Sequence, residues 1–250
     1  NWIVCFFNIF DLYIFHMITL LSFLWYFFSM NNTFKIILFA ATFLIMLCLG
    51  IFGLSKLKVD DFHKAAIIFV VDSSASNQKN LPAQKMLIRQ LCSMLDPEDH
   101  IKILRVSEDS YLIYEGSPQS SSDVRKSMEK FTQLDTSEYG TAYGLALDKA
   151  FKHAMTMDKE GYIPAVVVIG DLENEGSTDK QIDWETLPED VSNIKNQADD
   201  FAMMFLYASP EKLDLVKEKL GPVLGENHLI IGNEVASSKS LRRFLNAIGR

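Results

Sequence analysis

A hydrophobic run, AAIIFVV (65–71), stops on Asp72, and Ser74 and Ser76 follow at alternate positions. Further along, EYGTAYG sets Thr141 ahead of an amphipathic stretch, and a second apolar run, IPAVVVIG (163–170), is followed at once by Asp171. Two carboxylates and three hydroxyls are hard oxygen donors, the set preferred by Mg²⁺, with Mn²⁺ or Ca²⁺ as alternatives. The hydroxyls are neutral, so an ion held this way keeps positive charge and can draw an acidic group from another molecule. Other chemistries find less support. The serines are not in a G-x-S-x-G context and lack an evident base and orienting acid. His63, His100, His153 and His228 sit on separate segments with no evident pairing. Phosphoryl transfer at Asp72 would want a second carboxylate two residues on, where Ser74 stands. Neither a G-x-G-x-x-G nor a Walker loop occurs. The expectation is a binding protein rather than an enzyme.

These donors are scattered along the chain, so a fold must gather them. AAIIFVV reads as a strand covered on both faces, because it has no polar alternation. LPAQKMLIRQLCSMLD spaces Leu87, Leu91, Met94 and Leu95 for a helix. HIKILRV (100–106) alternates like a strand, and YLIYEG (111–116) reads as its neighbour. SSSDVRKSMEKF opens with serine caps for a helix. TAYGLALDKAFKHAM (141–155) puts Leu147, Phe151 and Met155 on one helical face. IPAVVVIG is a second buried strand, 190–200 a helix, FAMMFLYA (201–208) a strand with Met203 and Met204 in the core. PEKLDLVKEKLGPVL is a helix with proline at its start, HLIIG (228–232) a short strand, and SSKSLRRFLNAIG a closing helix that leaves Arg242 and Arg243 on its solvated face. Alternating strands and helices imply an α/β fold: a doubly wound, mostly parallel six-stranded sheet with helices on both faces. Ligands of such folds bind beyond the carboxyl ends of the strands, near the switch in strand order. That is where Asp72 and Asp171 fall.

The order D-x-S-x-S, then G-T before a helix, then Asp after a hydrophobic strand resembles the metal-ion-dependent adhesion site of von Willebrand factor A-type domains. The likeness covers roughly residues 65–250. It implies a Rossmann-like sheet with one antiparallel edge strand, for which YLIYEG is the candidate. It also implies that Ser74, Ser76 and Thr141 coordinate a divalent ion through their hydroxyls. Asp72 and Asp171 would act directly or through water, and a partner's Glu or Asp would complete the shell. Two positions depart from the family pattern: Ser73 stands where glycine is common after the first aspartate, and the usual T-D-G of the third loop reads Gly170-Asp171-Leu172. Glu173, Glu175 and Asp179 follow and read as a solvated acidic loop.

Charge divides the chain into a leader and a body. Of 32 acidic and 24 basic residues, only Asp11 and Lys35 precede residue 56. The net charge of −8 excludes the basic footprint of a nucleic-acid binder. Residues 36–54 (IILFAATFLIMLCLGIFGL) are uncharged and long enough to cross a bilayer. Residues 12–29 form a second candidate span, with Trp25, Tyr26, Phe27 and Phe28 placed like an interfacial belt; Asp11 marks its water boundary and His16 is a tolerated polar residue. The expected organisation is a transmembrane leader over 1–58 and an A-type domain over 59–250. The protein is thus expected to be integral to a membrane, of the bacterial inner-membrane type. Lys56, Lys58 and Lys64, set against Lys35, lean the domain toward the cytoplasm. MNNTFK (30–35) also resembles a bacterial translation start before an uncleaved signal anchor, which would put the domain outside. The arrangement resembles membrane-anchored A-domain proteins of the aerotolerance-operon type, which often add a C-terminal span; SLRRFLNAIGR supplies none. Cys92, alone in the body, reads as a small core residue, and Trp184 as folding back over the sheet. The expected function is cation-dependent protein binding at the membrane, with a larger membrane complex as its setting. The alternative is a structural subunit whose domain docks a partner without metal.

Overall fold

The computed structural model describes residues 43, 63–74, 77–119, 121–129, 140–173, 177, 180–232 and 238–250. The chain divides into two compact units, 1–62 and 63–250. Apart from Phe43, the first unit lies outside the described residues, and with it both expected spans, 12–29 and 36–54. Among the described residues no helix is long and apolar enough to cross a membrane.

The second unit alternates as its hydrophobic periods require. Its elements are β1 (Lys64–Asp72), α1 (Leu81–Ser93), β2 (His100–Val106), β3 (Ser110–Gly116), α2 (Ser121–Glu129), α3 (Tyr143–Lys159), β4 (Tyr162–Ile169), α4 (Leu187–Lys195), β5 (Ala202–Leu206), α5 (Pro210–His228), β6 (Leu229–Ile231) and α6 (Ser238–Ala247). The six strands lie in the order β3-β2-β1-β4-β5-β6. All neighbours are parallel except β2 and β3, so of the two edge strands β3 is the antiparallel one. The order reverses between β1 and β4, the two central and most apolar strands.

Strand side chains alternate between faces, and the core divides accordingly. Ile68, Val70, Val166, Val168, Met203 and Phe205 pack under α3, α4 and α5. Ile67, Phe69, Val71, Val167, Ile169 and Met204 pack under α1, α2 and α6. Both faces of β1 and β4 are therefore dry, which is why their sequences show no polar alternation. Cys92 and both methionines are buried, Arg242 and Arg243 are exposed, and Trp184 lies half-buried against the α3–α5 side of the core.

Helix α4 starts at Leu187, earlier than its sequence pattern implied, because Pro188 is accommodated in the first turn, where no backbone donor is needed. Helix α5 is capped by Ser209, whose Oγ accepts from the Lys212 amide at 3.3 Å. Below the sheet, Asp99 ties three elements together. Its Oδ1 accepts from the Ala65 amide at 2.8 Å, its Oδ2 from the Asp96 amide at 2.8 Å, and Arg250 pairs with it after α6. Arg250 also reaches Asp96 at 3.0 Å.

Candidate metal-binding site at the strand ends

Asp72 is the last residue of β1 and is completely buried. Its Oδ1 accepts from the Ser74 amide at 2.8 Å, closing the tight turn that the small residues permit. The backbone of this loop is pinned elsewhere: the Ser73 amide donates to the Val106 carbonyl at 3.0 Å, and Asn77 Nδ2 donates to the Asp72 carbonyl at 3.1 Å. Ser73, which replaces the common glycine, has its own work. Its Oγ accepts from Arg105 Nε at 2.7 Å and donates to the Val106 carbonyl at 3.3 Å, tying the loop to β2.

The second loop delivers Thr141, buried, two residues before the start of α3. Its neighbour Ala142 donates to the Ser107 carbonyl at 2.7 Å, which fixes the loop against the end of β2. The third loop leaves β4 through Gly170, whose amide donates to the Leu206 carbonyl at 3.0 Å. Asp171 then accepts from the Glu173 amide at 2.9 Å.

Two observations bring these loops together. The first is Tyr143, the opening residue of α3, which the sequence reading passed over. It is wholly buried; its hydroxyl donates to Asp72 Oδ2 at 3.0 Å and accepts from the Leu172 amide at 3.3 Å. One phenol thus bridges the first and third loops from the base of the second. The second is Gly170. A Cβ built there would sit 2.4 Å from the Asp72 Cβ and 2.0 Å from the Tyr143 hydroxyl, so only glycine allows the loops to approach so closely. Asp72, Ser74, Thr141 and Asp171 therefore share one rim of the sheet. Ser76, with Ala75, lies outside the described residues, as do Glu175 and Asp179.

Burial pushes the Asp72 carboxyl up from its ordinary 3.8 to about 6. Hydrogen bonds from Ser74 oppose this, the nearby charge of Asp171 adds to it, and the Tyr143 bond opposes it in turn. Burial, together with the charges of Asp72 and Asp171, holds the Tyr143 phenol well above its usual range, so it remains a donor. The groups acting on the Asp72 charge are hydroxyls, an amide and a second carboxylate, not a basic side chain. A buried carboxylate beside another carboxylate, ringed by neutral oxygens, fits a divalent cation on chemistry alone.

The third loop also explains its missing glycine. Leu172 stands at φ 60°, the left-handed region that glycine enters freely and leucine does not. Its side chain is buried in the core beneath α3 and α4, and that burial offsets the backbone cost. Glu173 pairs with Lys212 Nζ at 3.2 Å.

One sequence expectation needs correcting. His100 and His153 are paired: their rings lie 5.6 Å apart, and both approach Glu115. The hairpin register places Glu115 opposite Lys102, and α3 packs over the same face. Neither fact is visible in a spacing of fifty-three residues.

Residues 67–174 match the family model of the von Willebrand factor type A domain, a span running from β1 through the loop that carries Asp171. Sheet order and edge strand agree with that match: over this span the chain is similar to von Willebrand factor type A domains. Among solved structures it is similar to BatB of Bacteroides thetaiotaomicron, a conserved hypothetical protein, at 16% identity and a TM-score of 0.53, covering 74% of this chain and 97% of that one. Proximal thread matrix protein 1 of the mussel byssus aligns at 12% identity and a TM-score of 0.51, covering 74% and 48% of the two chains. The manganese-loaded TRAP protein of Plasmodium vivax aligns at 13% identity and 0.51, covering 74% of each. Identities this low speak for the fold alone. No curated protein sequence matches the chain.

Proposed function

We propose that the chain is a membrane-anchored binding module that holds a divalent cation and uses it to capture an acidic side chain of a protein partner. Asp72, Ser74, Ser76, Thr141 and Asp171 would hold the ion, Mg²⁺ in the first instance, with Mn²⁺ or Ca²⁺ as substitutes. The carrying observation is the convergence on Asp72: Tyr143 bridges it to the third loop, and Gly170 lets that loop approach within contact distance. The manganese named for the Plasmodium vivax structure, which shares the fold, supports the same reading. A bound ion would supply a Lewis-acidic centre that keeps positive charge, because three of its five protein ligands are neutral. The chain's own residues do the rest. Burial raises the energy of an uncompensated Asp72 carboxylate and so favours cation uptake. Tyr143 holds the carboxylate in one orientation, and the Arg105–Ser73 bond steadies the turn that presents Ser74. The module binds and does not catalyse. The apolar leader carries the membrane attachment, in a bacterial inner membrane with the domain leaning toward the cytoplasm.

The competing reading is a structural subunit of a membrane complex that docks its partner without metal. It is favoured by the engagement of both Asp72 carboxylate oxygens within the protein, by Ser74 and Tyr143. One experiment separates the two. The full chain, purified in mild detergent, is used to capture partners with and without chelator, alongside an Asp72→Ala variant. Cation-dependent binding is lost in both treatments. Partner binding that survives both removes the metal reading and leaves the scaffold.

A further inference from the structure

The opposite end of the sheet carries a second cluster of metal-ligating side chains. His100 opens β2, Glu115 lies near the end of β3, and His153 projects from the third turn of α3. His100 pairs in register with Ala66, and Val106 with Asp72. The cluster therefore sits six residues down β2 from the Asp72 rim, about 20 Å away at strand rise. His100 Nε2 lies 3.6 Å and His153 Nε2 3.7 Å from the same oxygen, Glu115 Oε1. One ligand atom from each of the three residues lies within 4.8 Å of the other two. Among the described residues, both Nε2 atoms are buried and have no hydrogen-bond partner.

Those numbers are hard to explain as a resting hydrogen-bond cluster. Separations of 3.6 and 3.7 Å are too long for hydrogen bonds, so two buried ring nitrogens stay unsatisfied around one carboxylate oxygen. They are close to what a tetrahedral ion requires. With Zn–N and Zn–O bonds of about 2.0–2.1 Å, neighbouring ligand atoms stand about 3.3 Å apart. The two nitrogen–oxygen separations need to contract by only a few tenths of an ångström, and the third ligand pair, within 4.8 Å, by at most about 1.5 Å, to bring all three onto one ion.

We propose that His100, Glu115 and His153 form a transition-metal site of the zinc class, separate from the hard-cation rim and independent of the function proposed for it. Two imidazoles and one carboxylate select Zn²⁺, or Co²⁺ in its place, over Mg²⁺, which prefers all-oxygen octahedral shells. Three protein ligands leave the fourth tetrahedral position to water. The ligands come from the edge hairpin and from the helix packed over it, so the ion would clamp β2, β3 and α3 together. Lys102 is the group that must adjust. Its Nζ lies 3.1 Å from Glu115 Oε2 and 3.4 Å from His153 Nδ1. A ring that binds metal through Nε2 carries its proton on Nδ1, so the ammonium turns from His153 and keeps its pairing with Glu115. The same pairing orients the carboxylate, a role that partners of metal ligands commonly fill.

The test titrates the full chain with Co²⁺ in excess Mg²⁺, which keeps the oxygen-lined rim filled. Tetrahedral Co²⁺ gives a strong visible d–d absorption, and Zn²⁺ should bleach it at one equivalent. His100→Gln and His153→Gln should each weaken Zn²⁺ at least tenfold, since loss of an outer partner alone costs that much. Circular dichroism monitors folding of both variants. A wild-type protein with no such band and no Zn²⁺ binding tighter than about 100 µM overturns the proposal without reference to any variant. So does a band that both variants retain. Because the readout is saturated with Mg²⁺ throughout, failure here leaves the rim reading standing, and failure of Mg²⁺ binding leaves this one standing.

Discussion

Substituting Asp72 by Asn should stabilise the metal-free protein and destabilise it relative to wild type once metal is present. The structure sets the size of both effects. Raising a carboxyl from 3.8 to about 6 means that ionised Asp72 costs about 3 kcal/mol at pH 7 in the folded state. The folded protein binds more protons here than the unfolded chain between those two values. Stability from this group is therefore present at low pH and lost as pH rises from about 4 to about 6. Asparagine removes the charge at an offsetting cost. Its oxygen can still accept from the Ser74 amide, but its NH₂ faces the Tyr143 hydroxyl, which already accepts from Leu172 and loses the acceptor it donated to. One lost hydrogen bond costs about 1 kcal/mol. The net expectation is a gain of about 2 kcal/mol at pH 7 in chelator, vanishing near pH 4.5 and turning into a loss of up to about 1 kcal/mol at lower pH. Wild type at a thousandfold excess of Mg²⁺ over Kd gains about 4 kcal/mol that the variant does not, so the order reverses. His153 contributes with the opposite sign: burial, then Lys102, push it down to about 4, and its contribution to stability grows as pH rises from about 4 to about 6.5. It is common to both proteins and cancels. Denaturant unfolding followed by circular dichroism, at pH 4.5 and pH 7, with chelator or Mg²⁺, measures all four corners. An Asp72→Asn protein less stable than wild type in chelator at pH 7 would show that the buried carboxylate is already compensated without metal, and would refute the reasoning.

Three further outcomes follow from single contacts. Gly170→Ala drives a methyl to within 2.4 Å of the Asp72 Cβ, so the loops must separate; Mg²⁺ affinity by calorimetry should fall more than tenfold with the fold retained. At Leu172, φ 60° inverts the usual ranking of small residues: Leu172→Gly and Leu172→Ala both lose a buried side chain, yet the glycine variant should be the more stable by roughly 1 kcal/mol, which thermal unfolding reads directly. Arg250→Met leaves Asp99 buried without its charged partner and should cost roughly 3 kcal/mol in denaturant unfolding, whereas Arg243→Met, on the exposed face of α6, should be near neutral.

Periodicity determined the architecture of the body. Dry apolar runs of strand length at 65–71 and 163–170 read as central strands, because they show no polar face and are bounded by turn residues, whereas the edge position of YLIYEG came from the family resemblance and not from its own pattern. The rim donors were legible for a related reason: in such a sheet the carboxyl ends of the central strands meet at the switch in order, so residues after β1 and β4 converge whatever their separation in sequence. Tertiary structure alone decided what holds and tunes them. Tyr143 reads as one more core aromatic until its hydroxyl is seen between Asp72 and Leu172. Leu172 reads as a departure until its φ shows it occupying glycine's conformation with a buried side chain. His100, Glu115 and His153 meet only through hairpin register and the seating of α3 on one face of the sheet. Strand and helix periods record which face a side chain takes. They do not record which side chain of another element lies opposite, because that depends on packing between surfaces that the chain assembles only when it folds.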